Sequence, residues 1–385
     1  MDFNGKCIDD VFSDLEEFKE LDMDYSSGRI LGSMCTEPDS VGMRAYRMFS
    51  ESNLGDPGLF KGTTLLEGEV INMIGNLLHL NDACGHIVTG GTEANITAMC
   101  AAKYIFEEKH PGVKPEIILP KSAHFSFKKI ISMLSLKPVY VPLNEDYKID
   151  TSKLEELITE NTMAIVAIAG TTELGYVDDI EEISEIAYRN NVYLHVDAAF
   201  GGFVIPFLNY DRDDEILFDF KCRGVSSITI DPHKMGLAPI PSGGIIFRNK
   251  EHLKKLAVKT PYLTKDEQTT IVGTRSGAST AAIWSLLKYY GFSGYKEIVD
   301  NAMELTKYTY EKLDSIEGVI VRKPELNLIS FYVEHLDVDI LQKQLEDMGW
   351  NISVSEYPHA LRIVLMPHVK EEHINDFISD LKKLI

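Results

Sequence analysis

The chain of 385 residues lacks long apolar runs and has few basic side chains relative to its acidic ones. Its longest apolar runs, such as 163–169, end after about eight residues, whereas a membrane-spanning helix needs roughly 20. The first 18 residues are acidic and lack the basic start and apolar stretch of a signal peptide. Lys and Arg total 38 against 59 Asp and Glu, a net charge of −21 that opposes binding to nucleic acid or anionic lipid. We therefore predict a cytoplasmic protein that has neither nucleic acid nor membrane as a partner.

Cysteine is also scarce. The five cysteines are scattered, odd in number and without a C-x-x-C pair. This pattern excludes a disulfide framework and a cysteine-based zinc site, so we predict buried free thiols and no bound metal.

Hydrophobic periodicity indicates an α/β fold. Residues 8–21 and 64–80 carry apolar positions at helical spacing, and the Gly- and Pro-rich stretch SNLGDPGLFKGTT between them predicts a loop. From residue 84, short apolar runs such as HIVT, EIILP and AIVAIAG alternate with longer amphipathic segments. This alternation is typical of a doubly wound, mainly parallel sheet.

The last third of the chain has a different pattern. A helix predicted over 278–315 leaves the sheet, and short strands then alternate with two helices, which suits a small α+β domain. We divide the chain into an N-terminal segment of helix and loop (1–60), a large α/β domain (61–275), and a linking helix with the small domain (276–385).

Two strand ends carry side chains suited to chemistry. Asp231-Pro232-His233-Lys234 directly follows the strand SSITI, which places a lysine where open α/β sheets build ligand sites. The strand YLHVD ends in Asp197, followed by small residues that let a flat ring approach the backbone. Such a carboxylate is suited to pair with the ring nitrogen of pyridoxal phosphate. A solvated lysine and a loop-capping aspartate are the alternative interpretations.

Two further loops fit the same site. The turn TGGTEAN leads into a helix, where backbone amides and the Thr92 hydroxyl are free to bind an anion. Its simpler interpretation is a tight turn with Thr92 as the helix N-cap. His124, in SAHFS, opens the next helix, where an imidazole can stack on a ring and assist proton movement. All four features lie on successive loops of one predicted sheet, which favours a common site.

These motifs resemble those of the group II pyridoxal-phosphate-dependent decarboxylases. TGGTEAN, SAHFS, HVDAAFGG and DPHK occur in that family's order and approximate spacing. Within the family the chain is similar to the archaeal L-tyrosine/L-aspartate decarboxylases, and the resemblance extends from about residue 30 to the end. It implies pyridoxal-phosphate fold type I (aspartate aminotransferase-like), with a seven-stranded, mainly parallel large domain and a small α+β domain.

The resemblance also implies the site residues. Lys234 would hold the cofactor covalently, Asp197 would pair with its ring nitrogen, and His124 would stack on the ring. The remaining cofactor-binding residues would lie near the phosphate or the ring: Gly91, Thr92, Thr172, Ala199 and His233.

The resemblance also has implications for three other positions. Tyr262, in a polar stretch after the lysine, resembles a mobile-loop tyrosine that protonates the substrate carbon, and a mobile lid would also exclude water. An exposed loop tyrosine without a catalytic role is the alternative interpretation. Arg362, in LRIVLMP, matches an arginine that meets the substrate carboxylate, which a guanidinium can hold with two hydrogen bonds. A surface salt bridge is the alternative interpretation of Arg362. Many relatives have Asn where Asp231 stands, and a carboxylate there would repel a phosphate unless it faces away.

The implied reaction is decarboxylation of an L-amino acid. Tyrosine would yield tyramine and aspartate would yield β-alanine, which in methanogenic archaea supply methanofuran and coenzyme A; glutamate is the next substrate implied. A homodimer with the active site near the subunit interface is expected from the family. The segment GTRSGASTAAIWSLLKYYG is similar to sphingosine-phosphate lyases, which leaves an aldehyde lyase as one alternative. A noncatalytic scaffold with the same fold is the other.

Overall fold

The computed structural model describes residues 4–385. Its twelve α-helices are α1 Ile8–Lys19, α2 Ser40–Met48, α3 Lys61–Leu77, α4 Gly91–Lys109, α5 Ser126–Met133, α6 Thr151–Leu154, α7 Ile180–Arg189, α8 Ile205–Leu208, α9 Lys250–Lys254, α10 Gly277–Asp314, α11 Val338–Asp347 and α12 Glu371–Leu381. Its strands are β1 Cys84–Val88, β2 Glu116–Pro120, β3 Lys137–Val141, β4 Thr162–Ile168, β5 Tyr193–Asp197, β6 Val225–Ile230, β7 Gly243–Phe247, β8 Val258–Lys259, β9 Glu267–Gln268, β10 Val319–Val321, β11 Leu328–Val333, β12 Ser353–Ser355 and β13 Ala360–Val364. Within residues 4–385, the apolar stretches of the helices are too short to cross a bilayer.

The large sheet has seven strands in the order β1-β7-β6-β5-β4-β2-β3. The strands β3, β2, β4, β5 and β6 pair in parallel, whereas β7 runs antiparallel to both of its neighbours, β6 and β1. Every residue of β4 and β5 is buried, as expected for strands covered on both faces. The prediction of a seven-stranded, mainly parallel sheet is confirmed.

Helices cover both faces of this sheet. Along β4, Ile165 and Ala167 belong to a core cluster that includes the buried residues of α7. Their neighbours Ala164 and Val166 belong to a second cluster built with α4. Because successive side chains of a strand point to opposite faces, α7 and α4 lie on opposite sides of the sheet, and the fold is doubly wound.

The small domain is an antiparallel sheet in the order β10-β11-β13-β12, packed with α11 and α12. The N-terminal segment joins it: the Leu31 N–H donates to the Asn351 carbonyl at 2.8 Å, and the Val364 N–H donates to the Leu31 carbonyl at 2.7 Å. Residues around Leu31 are thereby brought to the boundary between the two sheets, next to Arg362 on β13.

The linking helix is not continuous. It occupies Gly277–Asp314, close to the predicted 278–315, but Gly291 inside it has φ +56° and ψ −165°. Only glycine adopts that backbone region readily. The break lets the first half of α10 pack with α2 and α3 while the second half reaches the small domain.

We expect Gly291→Ala to lower the free energy of unfolding by about 1–3 kcal/mol, because alanine is strained at this φ and ψ. A Cβ at Gly291 meets nothing within 4 Å, so packing adds no penalty. Gly68 in α3 has equally open space but helical backbone, and Gly68→Ala should stabilise by about 0.5–1 kcal/mol. Urea denaturation measures the free energy of unfolding of both variants and of wild type. An equal change in the two variants would argue against backbone strain at Gly291.

Candidate active site

A cavity of about 320 Å³ opens at the carboxyl ends of the parallel strands. Its walls are the loops that follow β1, β2, β4, β5 and β6, because parallel strands bring their carboxyl ends to one edge of a sheet. The residues lining it are Thr89, Gly90, Gly91, Thr92, Glu93, Asn95, Ser122, His124, Ile168, Gly170, Thr172, Asp197, Ala199, Phe200, Asp231, His233 and Lys234. Eight of the predicted site residues therefore lie in one cavity. Among residues 4–385, the acidic, His and Cys side chains form no cluster suited to a metal ion.

The glycine turn after β1 forms one end of the cavity. A Cβ on Gly91 would lie 2.9 Å from Asp231 Oδ2, and a Cβ on Gly90 would lie 3.1 Å from His233 Cε1. Only glycine therefore lets the N-terminus of α4 come so near the loop after β6. The first backbone amides of a helix are unpaired and carry the positive end of its dipole. This end of the cavity is suited to an anion.

Lys234 lies beside a carboxylate in the loop after β6. Its Nζ is 3.3 Å from Asp231 Oδ2, and the Asp231 side chain is 3% exposed. Oδ1 of Asp231 accepts no hydrogen bond from residues 4–385. Asp231 is among the residues that line the cavity, and its charge is offset by the lysine ammonium.

Two histidines line the cavity in neutral form. The Ser242 N–H donates to His233 Nδ1 at 3.3 Å, and the Ser126 N–H donates to His124 Nδ1 at 3.3 Å. Burial lowers the pKa of both imidazoles. Because a backbone N–H is donated to each Nδ1, the ring proton of each histidine is on Nε2.

Asp197 ends β5 and is 5% exposed. Its Oδ1 accepts the Ala199 N–H at 3.1 Å, and its Oδ2 accepts a hydrogen bond from Asn95 Nδ2 at 2.9 Å. Asn95 lines the cavity and lies in the TGGTEAN motif, but it is not among the site residues predicted from the sequence. Its position one helical turn after Gly91 was the available signal, since residues at that spacing share a helix face.

Arg362 lies behind the cavity wall. Its Nη1 donates to the Thr172 carbonyl at 2.7 Å, its Nη2 donates to the Gly32 carbonyl, and its Nε has no partner among residues 4–385. Burial lowers the pKa of this guanidinium to about 10. Thr172 lines the cavity but Arg362 does not, so its contact with a substrate stays a prediction.

Tyr262 does not line the cavity of its own chain. Its side chain is 85% exposed, on the hairpin between β8 and β9. Thr264 anchors this hairpin to the N-terminal loop, where its N–H donates to Asp56 Oδ1 at 3.2 Å and its hydroxyl accepts the Gly58 N–H at 2.8 Å. The predicted role of Tyr262 therefore needs either a movement of the hairpin or a neighbouring chain.

We expect Asp231→Asn to strengthen binding of inorganic phosphate at the start of α4 by about fivefold or more, because a carboxylate near an anion repels it. The substitution would also leave the Lys234 ammonium without its anionic partner. Isothermal titration calorimetry measures the change. Asp219→Asn is the control, because Asp219 is an equally buried carboxylate that pairs with His79 outside the cavity. Unchanged or weaker phosphate binding by Asp231→Asn would contradict this interpretation.

Comparison with known proteins identifies the family. Residues 62–334 match the family profile described as "Pyridoxal-dependent decarboxylase conserved domain". The chain is 68% identical over 382 residues to a "Probable L-tyrosine/L-aspartate decarboxylase" of Methanosphaera stadtmanae, covering 99% of this chain and 98% of that protein. It is 50% identical over 377 residues to an "L-aspartate/L-glutamate decarboxylase" of Pyrococcus horikoshii, covering 96% of each chain. Among solved structures, a sphingosine-1-phosphate lyase of Burkholderia pseudomallei matches with a TM-score of 0.92 and 25% identity, covering 100% of this chain and 91% of that one.

The residues of the cavity fit pyridoxal phosphate. The helix N-terminus made accessible by Gly90 and Gly91 suits its phosphate, Lys234 offers an amine, and Asp197 offers a buried carboxylate. The predicted cofactor, enzyme class and resemblance are confirmed, so a noncatalytic scaffold is no longer an alternative. The chain belongs to the pyridoxal-dependent decarboxylase family and is a carboxy-lyase that uses pyridoxal phosphate.

Proposed function

We propose that this enzyme removes the α-carboxylate of an L-amino acid, converting tyrosine to tyramine, aspartate to β-alanine, or both. The observation that carries the proposal is that Lys234 and Asp197 line one cavity with an anion-binding helix N-terminus. The 68% identity to a protein named for tyrosine and aspartate supports these substrates, and the 50% identity to one named for aspartate and glutamate supports aspartate.

The cofactor-holding roles follow the chemistry of each side chain. Lys234 binds the cofactor through its amine, a standard nucleophile toward carbonyl groups. Gly91 and Thr92, at the start of α4, and the neutral His233 hold the phosphate. Asp197 pairs with the ring nitrogen. The remaining contacts of the ring come from His124, Thr172 and Ala199.

Pyridoxal phosphate, when bound, supplies a ring that accepts the electron pair left as carbon dioxide departs. Asp197 holds a proton on the ring nitrogen, because its buried negative charge favours the protonated form. His124 would contact that ring without charge repulsion, because burial lowers its own pKa and keeps it neutral. Asp231 Oδ2 lies 3.3 Å from Lys234 Nζ and pairs with it by charge when the lysine amine is free.

Arg362 is the proposed site for the substrate carboxylate. Two backbone carbonyls, Thr172 and Gly32, fix its guanidinium, and its Nε donor is unpartnered among residues 4–385. A fixed guanidinium at the border of the two domains can orient a carboxylate by charge and hydrogen bonding. Burial makes its charge more effective there than in water.

A homodimer with the active site near the interface completes the proposal. In the single chain, α1 has no buried residue, and its apolar side chains Ile8, Phe12, Leu15 and Phe18 are exposed. An isolated helix of about 12 residues is marginal in water, so we infer that a second copy covers it. Because Tyr262 is 85% exposed and does not line the cavity of its own chain, we infer that in this dimer it reaches the neighbour's cavity and delivers a proton to the substrate carbon.

The proposed setting is the cytoplasm, where the free thiols of the chain suit a reducing compartment. There the products would serve as precursors, tyramine for methanofuran and β-alanine for coenzyme A. The reaction requires no redox partner, because the electron pair left by carbon dioxide is returned to the product with a proton.

Release of carbon dioxide from carboxyl-labelled tyrosine, aspartate and glutamate tests the function. We expect release from tyrosine or aspartate in the presence of pyridoxal phosphate, and a loss of at least about a thousandfold in Lys234→Ala, because the nucleophile is gone. Lys307→Ala, an exposed lysine on α10, should keep full activity. Formation of an aldehyde from a phosphorylated amino alcohol, without release of carbon dioxide, would overturn the proposal. This outcome is the rival one because the fold is similar to that of a sphingosine-1-phosphate lyase.

Mixing two variants tests whether Tyr262 acts across the interface. Lys234→Ala and Tyr262→Phe homodimers should each have low activity. After mixing, unfolding and refolding, half of the dimers are mixed and each has one complete site, so activity should rise to about a quarter of wild type. Wild-type enzyme carried through the same refolding is the control. If activity does not rise while mixed dimers form, Tyr262 acts within its own chain or not at all.

A further inference from the structure

A line of hydrogen bonds leads from Asp197 into the core, and the mechanism above does not use it. Asn95 Nδ2 donates to Asp197 Oδ2 at 2.9 Å, and Asn95 Oδ1 lies 2.9 Å from His195 Nε2. His195 Nδ1 lies 2.8 Å from Ser227 Oγ, which accepts the Tyr193 hydroxyl at 2.8 Å. All five side chains are buried. We call these residues the Asp197 relay.

The direction of every bond in the Asp197 relay follows from its two ends. An ionised carboxylate only accepts, so the Asn95 amide nitrogen faces Asp197 and the amide oxygen faces away. That oxygen also only accepts, so His195 carries its proton on Nε2. His195 Nδ1 must then accept the Ser227 hydroxyl proton, and Ser227 accepts from Tyr193. Every proton in the relay points toward Asp197.

A second contact fixes the Asn95 amide. The Thr229 hydroxyl donates to Asn95 Oδ1 at 2.7 Å, and Asn95 Nδ2 also donates to Ser126 Oγ at 3.2 Å. Two donors on its oxygen and two acceptors at its nitrogen leave the amide one orientation. Asn95 is therefore held rigidly against the carboxylate.

The Asp197 relay contains no charge apart from the carboxylate. Burial lowers the pKa of His195 to about 4, although the nearby Asp197 carboxylate acts in the opposite direction. A charged imidazolium here would share the negative charge of Asp197. A neutral relay stabilises the carboxylate with dipoles and leaves its full charge for a cation in the cavity.

We propose that Asn95, held by His195 and Thr229, is the positioning residue that holds the Asp197 carboxylate directed at the ring nitrogen of pyridoxal phosphate. This inference rests on the proposed pairing of Asp197 with the ring. Without the Asn95 donor, the Asp197 carboxylate is held only by the Ala199 N–H and is free to turn away from the cavity. A carboxylate that is not directed at the ring nitrogen stabilises a proton there less well, so the ring becomes a poorer electron acceptor.

Two forms of the cofactor separate this role from simple structural support. The binding constants of the apo-protein are measured for pyridoxal phosphate and for 1-deazapyridoxal phosphate, in which carbon replaces the ring nitrogen. Wild type should prefer pyridoxal phosphate. Asn95→Ala should weaken pyridoxal phosphate binding on the order of tenfold, because it removes a hydrogen bond to a charged group, and should leave binding of the analogue within about twofold.

Thr97→Val is the matched control. Thr97 is buried on the same helix, and its hydroxyl donates to the Glu93 carbonyl outside the relay. This variant should keep the wild-type preference between the two cofactors. If Asn95→Ala binds both cofactors more weakly by the same factor, Asn95 only supports the fold, and the inference is overturned.

Ser227→Ala carries the test if Asn95→Ala does not fold. This variant removes the hydroxyl that orients His195, and His195 is connected to Asp197 through Asn95. The preference for pyridoxal phosphate should therefore fall by about threefold. An unchanged preference would contradict the relay. If wild type itself does not distinguish the two cofactors, the failure lies in the proposed role of Asp197, and the carbon dioxide assay still tests the reaction separately.

Discussion

The site depends on one constraint, a carboxylate held out of water at the end of a central strand. Asp197 is 5% exposed, and a buried carboxylate is tolerated only with donors around it. One donor is a backbone amide of its own loop, and the other is Asn95 on α4. The same helix begins at Gly91, so the anion-binding end of the cavity and the support of Asp197 are about one turn, or 6 Å, apart on one rigid element. A shift of α4 would disturb both.

The fold and much of the site could be predicted because each depends on local sequence. The loops that contain Lys234, Asp197 and His124 follow apolar runs that are typical of buried strands. Parallel strands bring such loops to one edge of the sheet. The antiparallel direction of β7 had no such signal, because a buried run such as GGIIF reads the same in either direction. The break at Gly291 was equally hidden, since a single glycine in a helical pattern is usually tolerated.

Residues that act through tertiary contacts escaped sequence reasoning. His195 and Ser227 lie inside buried strands, where polar side chains between apolar ones give no sign of a partner. Their importance appears only when β5, β6 and α4 are packed together and the bonds are followed to Asp197. The contact of Arg362 with Gly32 and Thr172 likewise joins three segments far apart in the chain, a distance over which spacing carries no information.

The difference between local motifs and tertiary contacts also explains why the cofactor can be predicted from the sequence while the substrate cannot. The proposed cofactor contacts lie on successive loops of one sheet, so each leaves a short motif. In an acidic chain with a net charge of −21, such local groups offset the repulsion of an anion. The proposed substrate contact, Arg362, instead lies where the small domain and the N-terminal segment meet the large domain. Relatives named for tyrosine, aspartate and glutamate align over nearly the whole chain. Because Arg362 is held by segments far apart in the chain, no short motif marks the proposed substrate contact, whereas each proposed cofactor residue stands in a motif of its own.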